Sequence, residues 1–244
     1  MMLAVVPQAN PPRSDLNHPP CSCGAPKLAT NMMRRKHLLS VVLSALPLLG
    51  MSACDVGHGE VLAKQRYGNC APCHGEDGSG NRAVGAPAIA GLPLWYVEAQ
   101  LRKFRDGSRG AHPDDIDGLK MRPMARTLLS DEEVKVVAER VAKLPPLQPP
   151  VTISDGDATR GKAMFATCTA CHGEKAAGMQ DKGAPDLHRT GDWYLLAQLK
   201  KFKSGVRGSA PTDATGQQMR PMAATLPNEQ AMKDVIAYIR TLQP

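Results

Sequence analysis

The sequence predicts an all-α fold made of two tandem copies of one small domain. Apolar residues recur at helical spacing in several segments, and no segment shows the apolar–polar alternation typical of a half-buried strand. In addition, a shift of 98 residues superposes residues 70–146 on residues 168–244 without a gap. Self-similarity over this length indicates two copies of one structural unit.

The repeat preserves short sequences as well as spacing. Met121-Arg122-Pro123-Met124-Ala125 recurs whole as residues 219–223, and Trp95-Tyr96 recurs as Trp193-Tyr194. We therefore expect a first domain over residues 55–146 and a second over residues 154–244. The prolines between them predict an extended, semi-rigid linker over residues 147–153.

Helices are expected at matching places in both copies. The first should cover Val61–Tyr67 and, in the second copy, Lys162–Thr167. A longer helix should cover Leu94–Arg105 and, in the second copy, Trp193–Lys203, each followed by a glycine that ends it.

The last helix of each copy has its own start signal. Ser130 followed by Glu133 is a capping box, and Asn228 is the equivalent N-cap in the second copy. The apolar faces that follow are predicted to be buried. They consist of Val134, Val137, Ala138 and Val141 in the first copy and of Met232, Val235, Ile236 and Ile239 in the second.

One chemical motif occurs twice. Cys70-Ala71-Pro72-Cys73-His74 returns as Cys168-Thr169-Ala170-Cys171-His172. Cys-x-x-Cys-His is the attachment sequence for c-type haem: each thiol forms a thioether with a vinyl group, and the His supplies an axial nitrogen to the iron. The sequence thus predicts two covalent haems. Each would also supply an apolar centre to a domain in a chain with only 4% aromatic residues.

A second axial group should recur at the same shift. His112 aligns with Ala210 and His188 with Ala90, so neither histidine recurs. Two methionines per copy do recur, and a thioether suits iron(II) and raises the haem potential. They are Met121 and Met124 in the first copy and Met219 and Met222 in the second. From the residues alone, either methionine of a pair could be the ligand, with the other filling the core.

From about residue 56 onward the chain resembles the dihaem class I cytochromes c of the cytochrome c-four type. The resemblance rests on Cys-x-x-Cys-His, a Gly-x-Pro, a Tyr-x-x-x-Gln-Leu-x-x-Phe-x-x-Gly-x-Arg helix, Met-x-x-Met and a final helix. It implies two tandem class I cytochrome c domains with Met121 and Met219 as the sixth ligands. It also implies that the carbonyls of Pro87 and Pro185 accept hydrogen bonds from the haem-ligating histidines. The basic Arg-Pro pair between the methionines departs from the family.

The N-terminal stretch reads as an export signal. Residues 1–31 have no periodic pattern and are expected to be an untranslated or disordered leader. Residues 32–53 combine a basic start, a short apolar run and the small residues Ser52 and Ala53 before Cys54, which resembles a bacterial lipobox. We therefore expect lipidation at Cys54 and a periplasmic, membrane-tethered protein. The alternatives are an ordinary cleaved signal or an uncleaved anchor with Cys54 as a free thiol.

The net charge does not indicate a nucleic-acid partner. The formal charge of +7 falls to +3 without the residues before Cys54, and no basic run with interleaved aromatic residues remains.

The resemblance implies an electron carrier rather than an enzyme. It would take electrons one at a time from a respiratory donor, such as a quinol-oxidising bc complex, to an acceptor such as a haem-copper oxidase. A cytochrome subunit of a periplasmic dehydrogenase would differ only in its partner. A dihaem peroxidase would need an open iron and unlike domains, which the repeat disfavours. A structural zinc site would need four ligands, whereas each copy offers two Cys and one His close together.

Overall fold

Helices are the only regular elements in residues 53–242, the part of the chain whose backbone the computed structural model describes; side chains are described for residues 59–242. Two isolated β-bridges, Asn81 with Ala86 and Met179 with Ala184, occur in loops of this part. The expected leader and nearly all of the expected signal peptide lie outside it, as does the side chain of Cys54.

The same succession of helices occurs twice. In the first half the helices are α1 (Ala53–Tyr67), α2 (Ala71–His74), α3 (Leu94–Asp106), α4 (Ile116–Arg126) and α5 (Asp131–Lys143). In the second half they are α6 (Ala158–Phe165), α7 (Thr169–His172), α8 (Asp192–Ser204), α9 (Ala214–Ala224) and α10 (Glu229–Thr241). Short 3-10 turns, Arg82–Val84 and Gln180–Lys182, lie between the second and third helices of each half. None of the helices in the described residues is long and apolar enough to cross a bilayer.

In each half, the first and last helices pack against each other, and the long middle helix packs against the last. The pairs are α1 with α5 and α3 with α5, then α6 with α10 and α8 with α10. The two halves belong to one compact unit, Gly50–Pro244. The fold is therefore all-α and repeated, as the sequence predicts.

The cap predicted for α5 is present. The Ser130 hydroxyl accepts a hydrogen bond from the Glu133 amide at 3.1 Å. The Glu133 carboxylate accepts one from the Leu129 amide at 2.7 Å, one residue earlier than a standard capping box requires. The predicted apolar face of α5 is buried, and Tyr67 of α1 belongs to the same core cluster.

The first helix of each half differs from its prediction. α1 begins eight residues earlier than expected, at Ala53. α6 begins four residues earlier than expected, at Ala158, because Asp157 caps it by accepting hydrogen bonds from the Thr159 and Arg160 amides, and it ends at Phe165, two residues before the expected end. An aspartate before a helix is a standard N-cap, so this signal was present in the sequence.

The contact between α6 and α10 is unusually close. A Cβ atom added to Gly161 would lie 1.9 Å from the Asp234 carbonyl oxygen, so only glycine fits there. The Asp234 carboxylate, itself buried, accepts a hydrogen bond from the Asp157 amide at 2.8 Å and one from Arg160 Nε at 2.7 Å. The equivalent of Gly161 in the first half is Ala63.

Four helices were not expected from the sequence: the single turns α2 and α7 at the Cys-x-x-Cys-His motifs, and the longer α4 and α9. α4 and α9 carry the methionine pairs, and each contains an internal proline, Pro123 or Pro221. Proline disfavours a helix interior because it lacks an N–H. Both helices nevertheless form. Each is capped by an aspartate, Asp115 or Asp213, whose carboxylate accepts a hydrogen bond from a glycine amide three residues on.

Candidate haem sites

The first half contains a cleft of about 1330 Å³, counting its part open to solvent. Cys70, Cys73 and His74 line it from the region of α2, and Met121 lines it from α4. Much of the remaining wall is apolar and includes Leu92, Val97, Leu101, Phe104, Val137 and Val141. Because its wall is largely apolar and carries two thiols and an imidazole at one end, the cleft suits a large apolar group.

The second half repeats this cleft with the same volume of about 1330 Å³. Cys168, Cys171 and His172 line it from the region of α7, and Met219 lines it from α9. Its apolar wall includes Phe165, Leu187, Leu199, Phe202, Ile236 and Ile239. The structure therefore brings each Cys-x-x-Cys-His motif and its methionine to one cavity. The other recurring candidates, Met124 and Met222, also line the clefts.

The histidines are oriented alike. His74 Nδ1 donates to the Pro87 carbonyl at 2.9 Å, and His172 Nδ1 donates to the Pro185 carbonyl at 3.0 Å, since a carbonyl can only accept. This tautomer leaves Nε2 with a free lone pair. Burial lowers the pKa of both histidines, although the bonds to the carbonyls oppose the effect. Both rings are thus held neutral, as a metal ligand requires.

None of the four cysteines of the two motifs forms a disulfide. Cys70 is partly buried and Cys73 is exposed. Burial, and then the nearby Cys73, raises the pKa of the Cys70 thiol to about 11. The pair is spaced for two attachment points on one ligand, and no disulfide competes for it.

The two methionines of a pair have different environments in the first half. Met121 is half-buried and packs against the core cluster, whereas Met124 is 37% exposed. In the second half Met219 and Met222 are both half-buried. Burial therefore favours Met121 as a ligand in the first half and does not separate the pair in the second. Of the non-recurring histidines, neither His112 nor His188 lines a cleft.

Arg109 and Arg207, which are equivalent in the sequence repeat, lie between the two clefts, and the sequence did not predict a role for them. Arg109 donates to Tyr194 at 2.6 Å and to Gln198 at 3.4 Å, both in the second half. Arg207 donates to Gln100 of the first half at 3.1 Å. The two guanidinium groups also lie over Phe104 and Phe202, at 4.4 Å and 4.5 Å from the ring centroids.

This arginine pair has no acidic partner within salt-bridge distance in the described residues. The Nε atoms of both arginines are buried without a hydrogen-bond acceptor there. Burial, and then the facing charge of Arg109, lowers the pKa of Arg207. Buried cations need an anion nearby. Arg109 lines the first cleft and Arg207 the second, so an anionic ligand edge such as a haem propionate fits both.

A second set of bonds crosses between the halves. Lys103 Nζ lies 2.6 Å from Asp213 Oδ1, and Lys201 Nζ lies 2.6 Å from Asp115 Oδ1. Both carboxylates are almost completely buried, with exposures of 1% and 3%. These four residues recur at the 98-residue shift, which was the one sequence signal that could have marked them.

Comparison with known proteins supports the haem assignment. Residues 59–144 and 158–243 each match the Cytochrome c family. The chain therefore belongs to the cytochrome c family, with one family domain in each half. It carries two covalently bound haem c groups and is a dihaem electron carrier.

Several curated relatives and solved structures are similar to it. The chain is 34% identical over 153 residues to a thiosulfate dehydrogenase electron acceptor from Thiomonas intermedia (strain K12), covering 59% of this chain and just 66% of that protein. It is 30% identical over 213 residues to cytochrome c-552 from Acidithiobacillus ferridurans, covering 83% of this chain and 86% of that protein. The structure of reduced recombinant cytochrome c4 from Pseudomonas stutzeri matches with a TM-score of 0.58 at 26% identity, over 75% of this chain and 98% of that one.

Proposed function

We propose that the chain is a two-step electron relay with identical ligand sets in its two domains, residues 55–146 and 154–244. Cys70 and Cys73 attach the first haem, and His74 and Met121 ligate its iron. The corresponding residues of the second domain are Cys168, Cys171, His172 and Met219. The observation that carries the proposal is the meeting of each Cys-x-x-Cys-His motif with a recurring methionine in one cleft.

The bound haem supplies a one-electron iron couple, and the protein supplies ligands, burial and position. The Pro87 and Pro185 carbonyls fix the tautomer and orientation of the histidines. A thioether opposite a histidine stabilises iron(II) and raises the potential. With this ligand set both axial positions would be filled by side chains and neither iron would be open to a substrate, as expected for a carrier rather than a peroxidase.

The ligand set is tested with four variants of the haem-loaded protein. A pyridine haemochrome assay should give two c-type haems per chain. Met121→Ala and Met219→Ala should each remove half of the methionine-to-iron charge-transfer band of the oxidised protein. Met124→Ala and Met222→Ala are the matched controls and should leave the band intact. If the controls remove it instead, the ligand assignment is wrong.

Two electron-transfer routes, with different redox partners, are candidates. One is a relay from a respiratory donor such as a bc complex to an acceptor such as a haem-copper oxidase. Similarity to Cbb3-type cytochrome c oxidase subunits FixP, 33% identical over 148 residues in Bradyrhizobium diazoefficiens, favours an oxidase-linked route. The other is electron acceptance from a periplasmic dehydrogenase. Thiosulfate dehydrogenase electron acceptors from two organisms, 34% and 33% identical, favour this one.

Stopped-flow reduction separates these candidates. The oxidised protein is mixed either with a quinol-reduced bc complex or with a thiosulfate dehydrogenase and thiosulfate, and haem reduction is followed. Fast reduction in one arm and not the other identifies the class of donor. Reduction in neither arm would reject both assignments while leaving the haem ligation untouched.

We also propose that Cys54 carries a lipid and holds the protein at the periplasmic face of a membrane. The lipobox-like sequence before Cys54 supports this. Lipidation predicts that the wild-type protein fractionates with membranes and that mass spectrometry finds acyl chains at Cys54, which Cys54→Ser lacks. A membrane-bound protein with an unmodified Cys54 would refute lipid anchoring.

A further inference from the structure

The lysines that cross between the domains reach the helices that carry the methionines. Lys103, on α3 of the first domain, bonds to Asp213, the N-cap of α9, which carries Met219. We propose that each domain's lysine is a positioning residue for the axial methionine of the other domain. Lys103 would act on the second haem site, and Lys201 on the first. This inference rests on the proposed ligation by Met121 and Met219.

Each lysine donates to the same carboxylate oxygen that caps the helix. Asp115 Oδ1 accepts from the Gly118 amide at 3.1 Å and from Lys201 Nζ at 2.6 Å. Asp213 Oδ1 accepts from the Gly216 amide at 3.0 Å and from Lys103 Nζ at 2.6 Å. An almost fully buried carboxylate needs a cation. The lysine therefore lies against the carboxylate and holds it in the orientation that caps the helix.

The first turn of α4 has no freedom to absorb a shift of its cap. A Cβ added to Gly118 would lie 2.2 Å from Asp115 Oδ2, and one added to Gly110 would lie 2.6 Å from the Gly118 carbonyl oxygen. Met121 follows Asp115 by less than two helical turns. Further along, Pro123 cannot donate a helical hydrogen bond, so the end of the helix beyond Met121 is weakly tied. A displaced cap should therefore move the methionine.

The lysines also lie next to the other domain's haem site. Lys103 lines the cleft of the second domain, and Lys201 lines the cleft of the first. Their side chains are mostly enclosed, with 18% and 16% exposed. A cation at the cleft wall favours the reduced, less positive haem, so its loss should act in the same direction as a loosened methionine.

The two crossings differ in one respect, which makes them separable. Lys201 also contacts a second carboxylate, Asp117, at 3.2 Å, whereas Lys103 contacts the Thr215 hydroxyl at the equivalent place, at 2.5 Å. Removal of Lys201 leaves Asp115 without its cation and leaves Asp117 with only the exposed Lys120, at 3.8 Å, while removal of Lys103 affects Asp213 alone. The first haem site should therefore be disturbed more by its missing lysine than the second.

The test uses the haem-loaded full chain with Lys103→Met and Lys201→Met. Added imidazole competes with the axial methionine in the oxidised protein, and the ligand methyl signals of that state report each site by NMR. Met121→Ala and Met219→Ala assign the two signals. We expect Lys103→Met to raise imidazole affinity about tenfold at the second haem alone, and Lys201→Met to do so, more strongly, at the first haem alone.

Three further variants keep the outcome decisive. Lys103→Arg and Lys201→Arg retain the charge and should restore near wild-type affinity. Lys200→Met, next to Lys201 on α8 but paired with exposed Glu229, should change neither haem. If Lys103→Met or Lys201→Met fails to load haem, the same comparison is made with Lys103→Gln or Lys201→Gln.

Changes at the lysine's own domain, at both haems equally, or at neither would overturn the inference. So would an equal effect from Lys200→Met. If the methionine-to-alanine variants leave both methyl signals in place, the proposed ligation itself fails. If those variants remove the signals while the lysine variants stay silent, only the positioning role fails.

Discussion

Replacing Gly161 by alanine tests the helix contact that joins the two ends of the second domain. The added Cβ would lie 1.9 Å from the Asp234 carbonyl oxygen and 2.5 Å from its carbonyl carbon. Both are backbone atoms, so no side chain can rotate away. To reach an ordinary separation of about 3.5 Å, α6 and α10 must move apart by roughly 1.5 Å at this point.

Two terms set the size of the effect. Forcing an extra carbon into a close-packed contact costs typically about 1–3 kcal/mol, and a clash with backbone belongs at the upper end. Alanine in a helix interior recovers up to about 1 kcal/mol relative to glycine. The net expectation is a loss of about 2 kcal/mol in the free energy of unfolding of the second domain.

Guanidinium unfolding of the haem-loaded protein, followed by far-ultraviolet circular dichroism, measures this loss. The matched control is Gly59→Ala in α1, where a Cβ would have no atom within 4 Å. That substitution should stabilise the first domain by up to about 1 kcal/mol. If Gly161→Ala is as stabilising as Gly59→Ala, then α6 and α10 are not in backbone contact and the reasoning is wrong.

Three other perturbations have a defined sign. Ser130→Ala removes the α5 cap and should cost about 1 kcal/mol in chemical denaturation, whereas Ser130→Thr should cost less. Hydrogen bonding by Arg160 is the main reason that the pKa of Asp234 is lowered to about 2. The stability that this carboxylate contributes is present above pH ~4 and should be lost as the pH falls toward 2. Because Arg160 is half-exposed and its charge is screened by solvent, we expect the loss to be on the order of 1–2 kcal/mol. In Asp234→Asn, acid titration of the unfolding midpoint should lose this component. Burial is the main reason that the pKa of Tyr67 is raised to about 12, so its phenol should stay neutral in an ultraviolet titration at pH ~11. The free energy of unfolding should fall between pH ~10 and ~12, because the unfolded chain loses this proton first. Ionisation of the Tyr67 phenol near pH ~10 would contradict its burial.

The elements that sequence patterns predicted well are those whose local signals agree with their packing. The face of α5 beginning at Val134 has helical spacing, a cap at Ser130 and full burial. α3 ends one residue after its predicted end and is followed by Gly107 at φ +89°, a conformation that favours glycine. In these segments propensity, periodicity and tertiary contacts all favour the same conformation.

The helices α4 and α9 were missed because local propensity and tertiary structure disagree there. Pro123 argues against a helix, yet the buried N-cap Asp115 and its partner Lys201 stabilise one. That partner lies in the other domain, 86 residues away. No local pattern can identify such a contact. The repeat shows that Asp115 recurs, but it cannot say which copy supplies the lysine.

The choice between the methionines of each pair was open for a similar reason. Spacing alone treats Met121 and Met124 alike, and only the burial of the first separates them. The arginines between the clefts recur in the repeat as well. Their lack of an acidic partner among the described residues became visible only once the two domains were placed together.

The crossed contacts have the pattern of a two-fold homodimer interface. Lys103 of the first half bonds to Asp213 of the second, and the corresponding Lys201 of the second half bonds to the corresponding Asp115 of the first. Such an isologous surface is self-complementary. A single domain with these residues could pair with a second copy of itself through the same bonds. Because both halves belong to one chain, joined between the end of α5 at Lys143 and the start of α6 at Ala158, that pairing is intramolecular and does not depend on protein concentration. The linker thus gives a symmetric dimer the permanence of one chain while leaving each half free to diverge.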